Sequence, residues 1–275
     1  MAMMDLSRDR PATGEALLDC RDVQVSFDGV IALAGIDLSI APGEVLGVIG
    51  PNGSGKTSLV NVISGYYRPT GGGVTFAGQR IDGLRPQQIR ALGIARVFQN
   101  LRLFDNLTVV ENVEVAMAVD LARTRGVAQA SVGAMVWRRQ RRLRREARLK
   151  AVRLLEDNGF AGHLDTKAGS LSYGQRKEIE LLRALADPPQ LLLLDEPTSG
   201  VSRAEAEQVG ERIALWRERT GCTLLIVEHR LGWLFDLAER IVVLNSGSVI
   251  AEGLPEVVAN DPEVRTAYVG TRDDH

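Results

Sequence analysis

The chain has 275 residues, of which 45% are hydrophobic and 25% are charged, an ordinary globular composition with enough apolar material for a sizeable core. Its 33 basic and 35 acidic residues nearly cancel to a formal charge of -2, so no overall electrostatic attraction favours nucleic acid. Cys20 and Cys222 are the only cysteines, and without a CxxC pair they indicate neither a disulfide framework nor a zinc site. We expect one large domain, or one domain with a lobe, in a reducing cytoplasm.

The N-terminal residues are charged where a secretory signal needs an apolar core, and we interpret residues 1–16 as a flexible arm. The longest apolar runs elsewhere span only a few residues, whereas a helix that crosses a bilayer needs about 20. The sequence therefore predicts no export signal and no spanning helix. If the protein serves a membrane, another protein must cross it.

Two segments between Leu17 and Ile40 are rich in Val, Ile and Leu with partial alternation, which predicts antiparallel strands at an edge. Short continuous apolar runs, typical of strands buried on both faces, follow in GEVLGVIG, GIARVFQ, QLLLLDE, TLLIVEH and RIVVLNSG. Helical patterns separate these runs. The alternation predicts an α/β fold in which helices cover a largely parallel sheet.

Between Leu107 and Asp187 the sequence has helical periodicity and no convincing strand, which predicts a helical lobe inserted into the α/β body. We therefore divide a single domain, residues 17–270, into three parts. They are a core at about 17–105 and 188–254, a helical lobe at about 106–187, and a C-terminal helical tail at 255–270.

A strongly basic helix is predicted at Trp137–Glu156, with nine Lys and Arg against two Glu. Leu143, Ala147, Ala151 and Leu154 follow near-helical spacing and give it one apolar side. The simplest interpretation of the charges is a solvated face. Contact with anionic lipid headgroups or an acidic partner at a membrane surface is the second interpretation, and nucleic-acid binding is the third.

The stretch GPNGSGKT matches the phosphate-binding pattern G-x-x-x-x-G-K-[ST], directly after a buried strand and before a helix-like run. Glycines let the main chain approach phosphates, and the amides at the helix start point toward them with the helix dipole behind. Lys56 would reach the β- and γ-phosphates, and the Thr57 hydroxyl would bind Mg²⁺. The nucleotide-binding residues predicted here are Gly50, Pro51, Asn52, Gly53, Ser54, Gly55, Lys56, Thr57 and Ser58.

A second motif, QLLLLDEPTSG, is an apolar strand that ends in two carboxylates. Asp195, at the strand end, is placed to hold Mg²⁺ through water, and Glu196 is placed to polarise an attacking water. Because the phosphate loop occurs in the same chain, this pair predicts an enzyme that hydrolyses a nucleotide rather than one that only binds it.

Five motifs occur in a fixed order: GPNGSGKT, VFQN, LSYGQ, LLLLDEPTSG and VEH. The set resembles the nucleotide-binding subunit of an ABC transporter over about Leu17 to Gly270. The resemblance implies a P-loop NTPase ABC ATPase fold with an antiparallel β edge and an inserted helical lobe. It also implies that ATP and Mg²⁺ are bound and that ATP is hydrolysed to ADP and phosphate.

The resemblance assigns roles to three further residues. Gln99 would bind Mg²⁺, sense the γ-phosphate and sit at the hinge of the helical lobe near the membrane partner. His229 would contact the γ-phosphate and pair with the catalytic Glu196, although a lone His after an apolar strand is usually only a strand-end residue. Phe27 would stack on adenine, although its apolar surroundings alone favour a core position.

In this family the loop that matches LSYGQ binds the γ-phosphate held by the other subunit of a head-to-tail dimer. The residues concerned are Leu171, Ser172, Tyr173, Gly174 and Gln175. Read without the family, Ser172 is the N-cap of the following helix, and both interpretations can hold together.

Two positions depart from the general pattern. Tyr173 replaces a glycine of the signature, which leaves the phosphate-contacting Ser and Gly intact, so we expect activity to be kept. Ser202 stands where the loop after the carboxylate motif often ends in Asp, a change that weakens the expected communication across the dimer.

Four features, namely ARVFQNLRLFDNLTVVENV, Tyr173, VEH and the ending GLPEVVANDPEVRTAYVG, are closer to one subfamily. They resemble the ATPase subunits of branched-chain amino-acid importers, a group that includes urea and amide importers. This implies a peripheral protein on the cytoplasmic face of the inner (plasma) membrane, with transmembrane permease subunits and, indirectly, an external solute-binding protein as partners. The ATPase dimer would be a homodimer or a heterodimer with a paralogous chain, and no nucleic acid would be bound.

Two alternatives stay open at this stage. A soluble ABC ATPase of DNA repair or translation usually carries long coiled-coil insertions or two cassettes, and this sequence has neither. A regulatory module that binds ATP without turning it over is disfavoured because Glu196, Gln99 and His229 are all present.

Overall fold

The computed structural model describes residues 16–124, 134–229 and 231–269. The interpretation of residues 1–16 as a flexible arm therefore falls almost wholly outside the described residues. The strands are β1 (Leu18–Phe27), β2 (Val30–Ile40), β3 (Val45–Ile49), β4 (Gly71–Phe76), β5 (Gln79–Arg80), β6 (Ile94–Val97), β7 (Leu191–Asp195), β8 (Thr223–Val227), β9 (Arg240–Asn245) and β10 (Ser248–Gly253). The helices are α1 (Lys56–Ile63), α2 (Pro86–Ala91), α3 (Val109–Thr124), α4 (Ala134–Glu156), α5 (Tyr173–Leu185), α6 (Arg203–Thr220), α7 (Leu231–Leu237), α8 (Pro255–Asn260) and α9 (Pro262–Val269).

The main sheet has six strands in the order β10-β9-β3-β8-β7-β6. All five continuous apolar runs form its parallel strands, and every residue of β3, β7 and β8 is buried, as the absence of alternation predicts. β10 pairs antiparallel with β9 at one edge. The predicted parallel sheet is therefore confirmed.

A second sheet has four antiparallel strands in the order β2-β1-β4-β5. The two predicted antiparallel strands pair with each other as β1 and β2. β4 was missed because its sequence, GGGVTF, opens with three glycines, which weaken the strand signal. The N-terminal antiparallel strands thus belong to a separate sheet that packs on the main one.

Two apolar clusters cover the two faces of the main sheet. One joins it to the antiparallel sheet and α1, with Leu46, Leu59 and Phe76 among its buried members. The other lies under the helices that follow β7 in the chain, where Ile213 and Trp233 are buried. The strands that carry the candidate site are therefore held from both sides.

The helices between β6 and β7 have an apolar cluster of their own, in which Val113, Ala147 and Ile179 join α3, α4 and α5. The described residues of 109–185 contain helices and no extended strand, apart from a single bridge between Thr108 and Lys167 beside them. The division into core, lobe and tail stays a prediction.

The basic helix is present as α4, and Leu143, Ala147 and Ala151 are buried as predicted. Leu154, the fourth predicted position, is partly buried and packs against the same apolar cluster, and Leu155, which the prediction did not include, is fully buried. The opposite face is basic and exposed, with Arg144, Arg145, Lys150 and Arg153 among its residues.

Both cysteines are buried free thiols, and burial raises the pKa of the Cys222 thiol to about 12. A thiol that stays protonated at neutral pH is a poor nucleophile and a poor metal ligand. Within the three described ranges, no helix combines the length and the apolar character that a bilayer span requires.

Candidate active site

Four of the predicted motifs follow four adjacent parallel strands. The phosphate loop follows β3, His229 follows β8, Glu196 follows β7 and Gln99 follows β6. The register pairs Val227 with both Val48 and Asp195, so these strands end at nearly the same level. The carboxyl ends of parallel strands are where ligands of α/β sheets bind. Strand order therefore brings together residues as far apart in sequence as Val48 and Val227.

The phosphate loop depends on glycines that no other residue could replace without strain. Gly55 has φ +104°, and a Cβ there would lie 2.7 Å from the carbonyl oxygen of Ala32 on β2. A Cβ on Gly50 would lie 2.1 Å from the carbonyl oxygen of Leu244 on β9. A strand of each sheet therefore lies so close to the loop that only glycine fits at these two positions.

Lys56 is the first residue of α1, and its ammonium group closes the loop. Its Nζ atom donates hydrogen bonds of 2.8 Å to the carbonyl oxygens of Gly50 and Pro51 and lies 3.4 Å from Ser54 Oγ. Burial lowers the pKa of Lys56, while the nearby Glu196 and Asp195 carboxylates act in the opposite direction. The Lys56 ammonium group therefore lies within the phosphate loop, bound to its carbonyl oxygens.

The other loop residues differ in exposure. Asn52, Gly53 and Thr57 are exposed, whereas Pro51 and Ser54 are buried. Exposed residues, which a ligand can reach from solvent, thus alternate with buried residues that anchor the loop. Ser58 is partly buried within α1.

Asp195 ends β7 in a buried ion pair that the sequence did not predict. Arg96, on the neighbouring strand β6, approaches Asp195 Oδ2 at 2.8 Å, and both side chains are buried. A second nitrogen of Arg96 donates to Asn61 Oδ1 at 2.7 Å and Ser64 Oγ at 2.9 Å, both near the end of α1. The arginine therefore joins the carboxylate strand to the helix that starts at the phosphate loop.

The remaining oxygen of Asp195 fits a metal-bound role. Among the described residues, Asp195 Oδ1 is buried and has no hydrogen-bond partner. Unpaired buried carboxylate oxygens are uncommon, and hard cations such as Mg²⁺ prefer oxygen ligands or waters held by them. Asp195, the exposed Thr57 and Gln99 each carry an oxygen of the kind that suits Mg²⁺.

Glu196, Gln99 and His229 lie next to one another at the strand ends. Gln99 Nε2 donates to Glu196 Oε2 at 2.6 Å, and His229 Nδ1 lies 3.8 Å from the same oxygen. Glu196 has φ +48°, a left-handed conformation that is costly for a residue with a side chain. Its N–H donates to the carbonyl of Val227 at 2.9 Å, which helps to hold that conformation.

A second carboxylate, Glu228, lies behind His229. Glu228 is fully buried, and its Oε1 accepts hydrogen bonds from the N–H (3.0 Å) and the hydroxyl of Thr198. Its Oε2 accepts from the N–H of His229 at 3.1 Å. Glu228 thus ties the turn after Glu196 to the strand end at His229. Glu228 is the middle residue of the VEH motif, in which we predicted a role only for His229.

Phe27 ends β1 and is 44% exposed, so the core position favoured by its apolar surroundings is wrong. Its ring meets Tyr67, which is 37% exposed, edge to face at 5.0 Å between centroids. The pair offers an exposed aromatic surface, and Tyr67 was not predicted. Stacking of Phe27 on adenine stays a prediction.

The LSYGQ stretch begins α5. Ser172 is its N-cap: its hydroxyl accepts from the N–H of Gln175 at 3.3 Å, and the Gln175 side chain accepts from the N–H of Ser172 at 3.1 Å. Ser172 and Tyr173 are exposed, whereas Leu171, Gly174 and Gln175 are partly buried. The helix start therefore presents its N-terminal amides at the surface, and the N-cap interpretation is confirmed.

Tyr173 contacts the loop that follows Glu196 in the same chain. Its hydroxyl donates to the carbonyl of Ser199 at 3.2 Å, and a Cβ on Gly200 would lie 3.1 Å from that hydroxyl. Ser202 ends this loop as the N-cap of α6, in a capping box with Glu205. The two departures from the general pattern thus meet at one loop, which Tyr173 contacts at Ser199 and Gly200 and which Ser202 ends.

Comparison with known proteins agrees with this geometry. The ABC transporter family model matches residues 33–199, and the branched-chain amino acid ATP-binding cassette transporter model matches residues 248–274. The high-affinity branched-chain amino acid transport ATP-binding protein LivG of Escherichia coli K12 is 36% identical over 93% of this chain and 98% of its own length. BraF of Pseudomonas aeruginosa, with the same descriptive name, is 35% identical over 92% and 98%.

Solved structures show the same architecture. The ADP conformation of MJ1267, an ATP-binding cassette of an ABC transporter, is 30% identical and superposes with a TM-score of 0.79 over 94% of this chain and 100% of that one. A nucleotide-free ATP-binding cassette from an ABC transporter is also 30% identical, with a TM-score of 0.77 over 92% and 98%. The chain therefore belongs to the ABC transporter family, as an ATP-hydrolysing subunit related to the branched-chain amino acid transport ATP-binding proteins.

Proposed function

We propose that this chain hydrolyses ATP to energise the import of branched-chain amino acids, or of related small solutes, through a membrane permease. The observation that carries the hydrolytic role is the convergence of Lys56, Asp195, Glu196 and Gln99 at the ends of adjacent strands. The solute class is supported by relatives that share about a third of the sequence along nearly the whole chain. The alternative of a soluble ATPase in DNA repair or translation is not favoured by these relatives.

The phosphate loop would bind the β- and γ-phosphates of ATP. Its main-chain amides and the start of α1 favour an anion, and Lys56 adds a cation that already lies across the loop. On binding, the ammonium group would exchange its contacts with the Gly50 and Pro51 carbonyls for phosphate oxygens. The exposed Phe27 and Tyr67 rings would cover the adenine.

Thr57, Gln99 and Asp195 would hold Mg²⁺, with Asp195 acting through water. The ion supplies charge neutralisation on the β- and γ-phosphates. Arg96 binds one oxygen of Asp195 and leaves the other buried and unpaired, which supports this assignment. The chain's own contribution is therefore to fix the direction of that carboxylate before the nucleotide arrives.

Glu196 would orient and polarise the attacking water. Gln99 and His229 both lie next to Glu196 Oε2, so they can hold the carboxylate and direct hydrogen bonds toward the γ-phosphate. The left-handed backbone at Glu196 is kept by its hydrogen bond to Val227, and by the tie between Glu228 and Thr198. These contacts support a preorganised general base.

Two chains would enclose two ATP molecules head to tail. The exposed N-terminus of α5, with Leu171, Ser172, Tyr173, Gly174 and Gln175, would face the phosphate loop of the other chain and bind its γ-phosphate. The second chain is another copy or a paralogous ATPase. Each active site is then completed only when the two chains close.

The chain would be peripheral on the cytoplasmic face of the inner (plasma) membrane. Transmembrane permease subunits would dock near Gln99, an external solute-binding protein would act indirectly, and nucleic acid would not be a partner. The exposed charges of α4 can be a solvated face in this arrangement.

The test is to copurify the tagged chain with its partners from native membranes and to identify them by mass spectrometry. We expect permease subunits, an ATPase partner and a solute-binding protein. An untagged strain, and a strain with tagged Lys56→Ala, serve as controls for adventitious capture and for dependence on nucleotide. Recovery of only nucleic acid or ribosomes would contradict the transporter assignment.

A further inference from the structure

The segment that follows β6 is held by side chains of α5. Residues 99–102 lie outside the helices and strands, and within the described parts of the chain no backbone-to-backbone hydrogen bond fixes them. Lys177, Glu180 and Arg183, which recur at three-residue spacing on one side of α5, bind the main chain of this segment instead. A helix thus replaces the sheet as the support for a catalytic loop.

Lys177 makes the contacts closest to the chemistry. Its Nζ donates to the carbonyl oxygens of Gln99 at 2.6 Å and Phe98 at 3.3 Å, and lies 3.8 Å from Glu180 Oε2. The side chain is buried, and burial lowers the pKa of Lys177 while Glu180 and Glu228 oppose that shift. A buried ammonium group is costly unless it is well paired, so a function beyond filling space is indicated.

Lys177 is connected by hydrogen bonds to the catalytic carboxylate of Glu196 through a single residue, Gln99. The Gln99 carbonyl accepts from Lys177, and the Gln99 side chain donates to Glu196 Oε2 at 2.6 Å. The same helix starts at the exposed N-cap Ser172. Phosphate binding at one end of α5 and hydrolysis at Glu196 are therefore connected through a short chain of hydrogen bonds.

We propose that Lys177 is a positioning residue: it fixes the main chain at Gln99 and so sets where the Gln99 amide meets Glu196. This inference rests on the proposed function for the role of Glu196. It makes α5 a mechanical link between the phosphate contact that the chain offers to its partner and its own hydrolytic carboxylate. The link passes through side chains, so a rotation of α5 would carry Gln99 with it.

The structure supplies a matched comparison within the same helix. Glu180 Oε1 accepts from the N–H of Arg102 at 2.9 Å, and Arg183 donates to the carbonyl of Arg102. These contacts anchor the same loop, three residues beyond Gln99. Removing Arg183 should loosen the loop without displacing Gln99, whereas removing the Lys177 charge should displace it.

The first experiment compares Lys177→Met, Lys177→Arg and Arg183→Met in the full chain. Met keeps the volume of the Lys stem, and Arg keeps the charge. In Lys177→Met we expect kcat to fall about tenfold to a hundredfold, as for other residues that orient a catalytic ligand. ATP affinity measured in EDTA should stay within about twofold, and Lys177→Arg should recover part of kcat.

The second experiment is a double-mutant cycle on kcat with Gln99→Ala. If Lys177 acts through Gln99, then Lys177→Met will add little in the Gln99→Ala background. A purely structural role would instead lower kcat by the same factor in both backgrounds. Additive effects, or equal losses in Lys177→Met and Arg183→Met, would overturn the proposal.

A readout without nucleotide separates this inference from the proposed function. The NMR chemical shifts of the Gln99 side-chain amide, and of the peptide group whose carbonyl accepts from Lys177, should change in Lys177→Met, while in Arg183→Met the change should centre on the peptide group whose carbonyl belongs to Arg102. If the parent chain hydrolyses no ATP, the proposed function fails but this comparison still decides whether Lys177 holds the loop. Unchanged Gln99 shifts in Lys177→Met would refute the role; if that variant does not fold, the same shifts and cycle are measured in Lys177→Gln.

Discussion

The phosphate loop with the strand end at Asp195, and the loop segments bound to α5, are built differently. The first set is fixed by close contacts between main chains and by strand register, as where Gly55 lies against Ala32 and Asp195 pairs with Val227. Long polar side chains fix the second set, as at Lys177 on the Gln99 carbonyl and Tyr173 on the Ser199 carbonyl. Main-chain packing leaves little freedom, whereas side-chain hydrogen bonds can break and reform. We infer that the first region holds the chemistry and the second adjusts it.

The largest effect is expected where the rigid region does chemistry. Glu196→Gln keeps the shape of the side chain but removes its basicity, so steady hydrolysis should fall by about 10² to 10⁴. ATP binding should persist and ATP-bound dimers should accumulate. Hydrolysis assays and size-exclusion chromatography with ATP measure the two effects. Glu211→Gln, at an exposed position of α6, is the control, and parent-like hydrolysis by Glu196→Gln would show that another group is the base.

Breaking the ion pair between Arg96 and Asp195 comes next. Arg96→Met leaves a buried carboxylate without its partner, which costs about 3–5 kcal/mol of unfolding free energy. Urea denaturation measures the loss. Adding Asp195→Asn in the same chain should restore part of the stability, since the uncompensated charge is then removed. Arg203→Met, which breaks an exposed pair with Glu207, should change stability little, and an equal loss there would refute the argument.

A glycine pair tests main-chain packing directly. Gly55 and Gly78 have φ values of +104° and +75°, but a Cβ would clash only at Gly55, since nothing lies within 4 Å of one at Gly78. Gly78→Ala should cost about 1–2 kcal/mol from backbone conformation alone. Gly55→Ala should cost more and should weaken ATP binding, as measured by urea denaturation and equilibrium binding. Equal costs would mean that β2 does not constrain the loop.

The smallest effect is expected in the adjustable region. Tyr173→Phe removes only the hydroxyl that binds the Ser199 carbonyl, which costs about 0.5–1.5 kcal/mol. If Tyr173 aligns the loop for the partner chain, the concentration needed for ATP-driven dimerisation will rise by several-fold in a Glu196→Gln background. Sedimentation velocity measures it. Tyr66→Phe, at an exposed tyrosine whose ring packs on Phe98, is the control.

The sequence predicted the structure well where a local pattern is compatible with only one kind of structure. Continuous apolar runs predicted the parallel strands, and GPNGSGKT predicted the turn from β3 into α1. It was uninformative where meaning depends on neighbours in space. Nothing in GIARVFQ indicates that Arg96 is buried against Asp195, and nothing in RKEIELLR distinguishes the buried Lys177 from an ordinary surface lysine. Strand order, which places β8 between β3 and β7, is likewise set by packing of distant segments.

The left-handed backbone at Glu196 has a consequence for protein engineering. Glycine would relieve the strain at φ +48°, so Glu196→Gly should raise stability while it removes the general base. A library screened for heat resistance alone would therefore enrich inactive chains at this position. Thermostable variants of this ATPase need a selection that scores turnover in every round, because at Glu196 the residue that folds best is not the one that works.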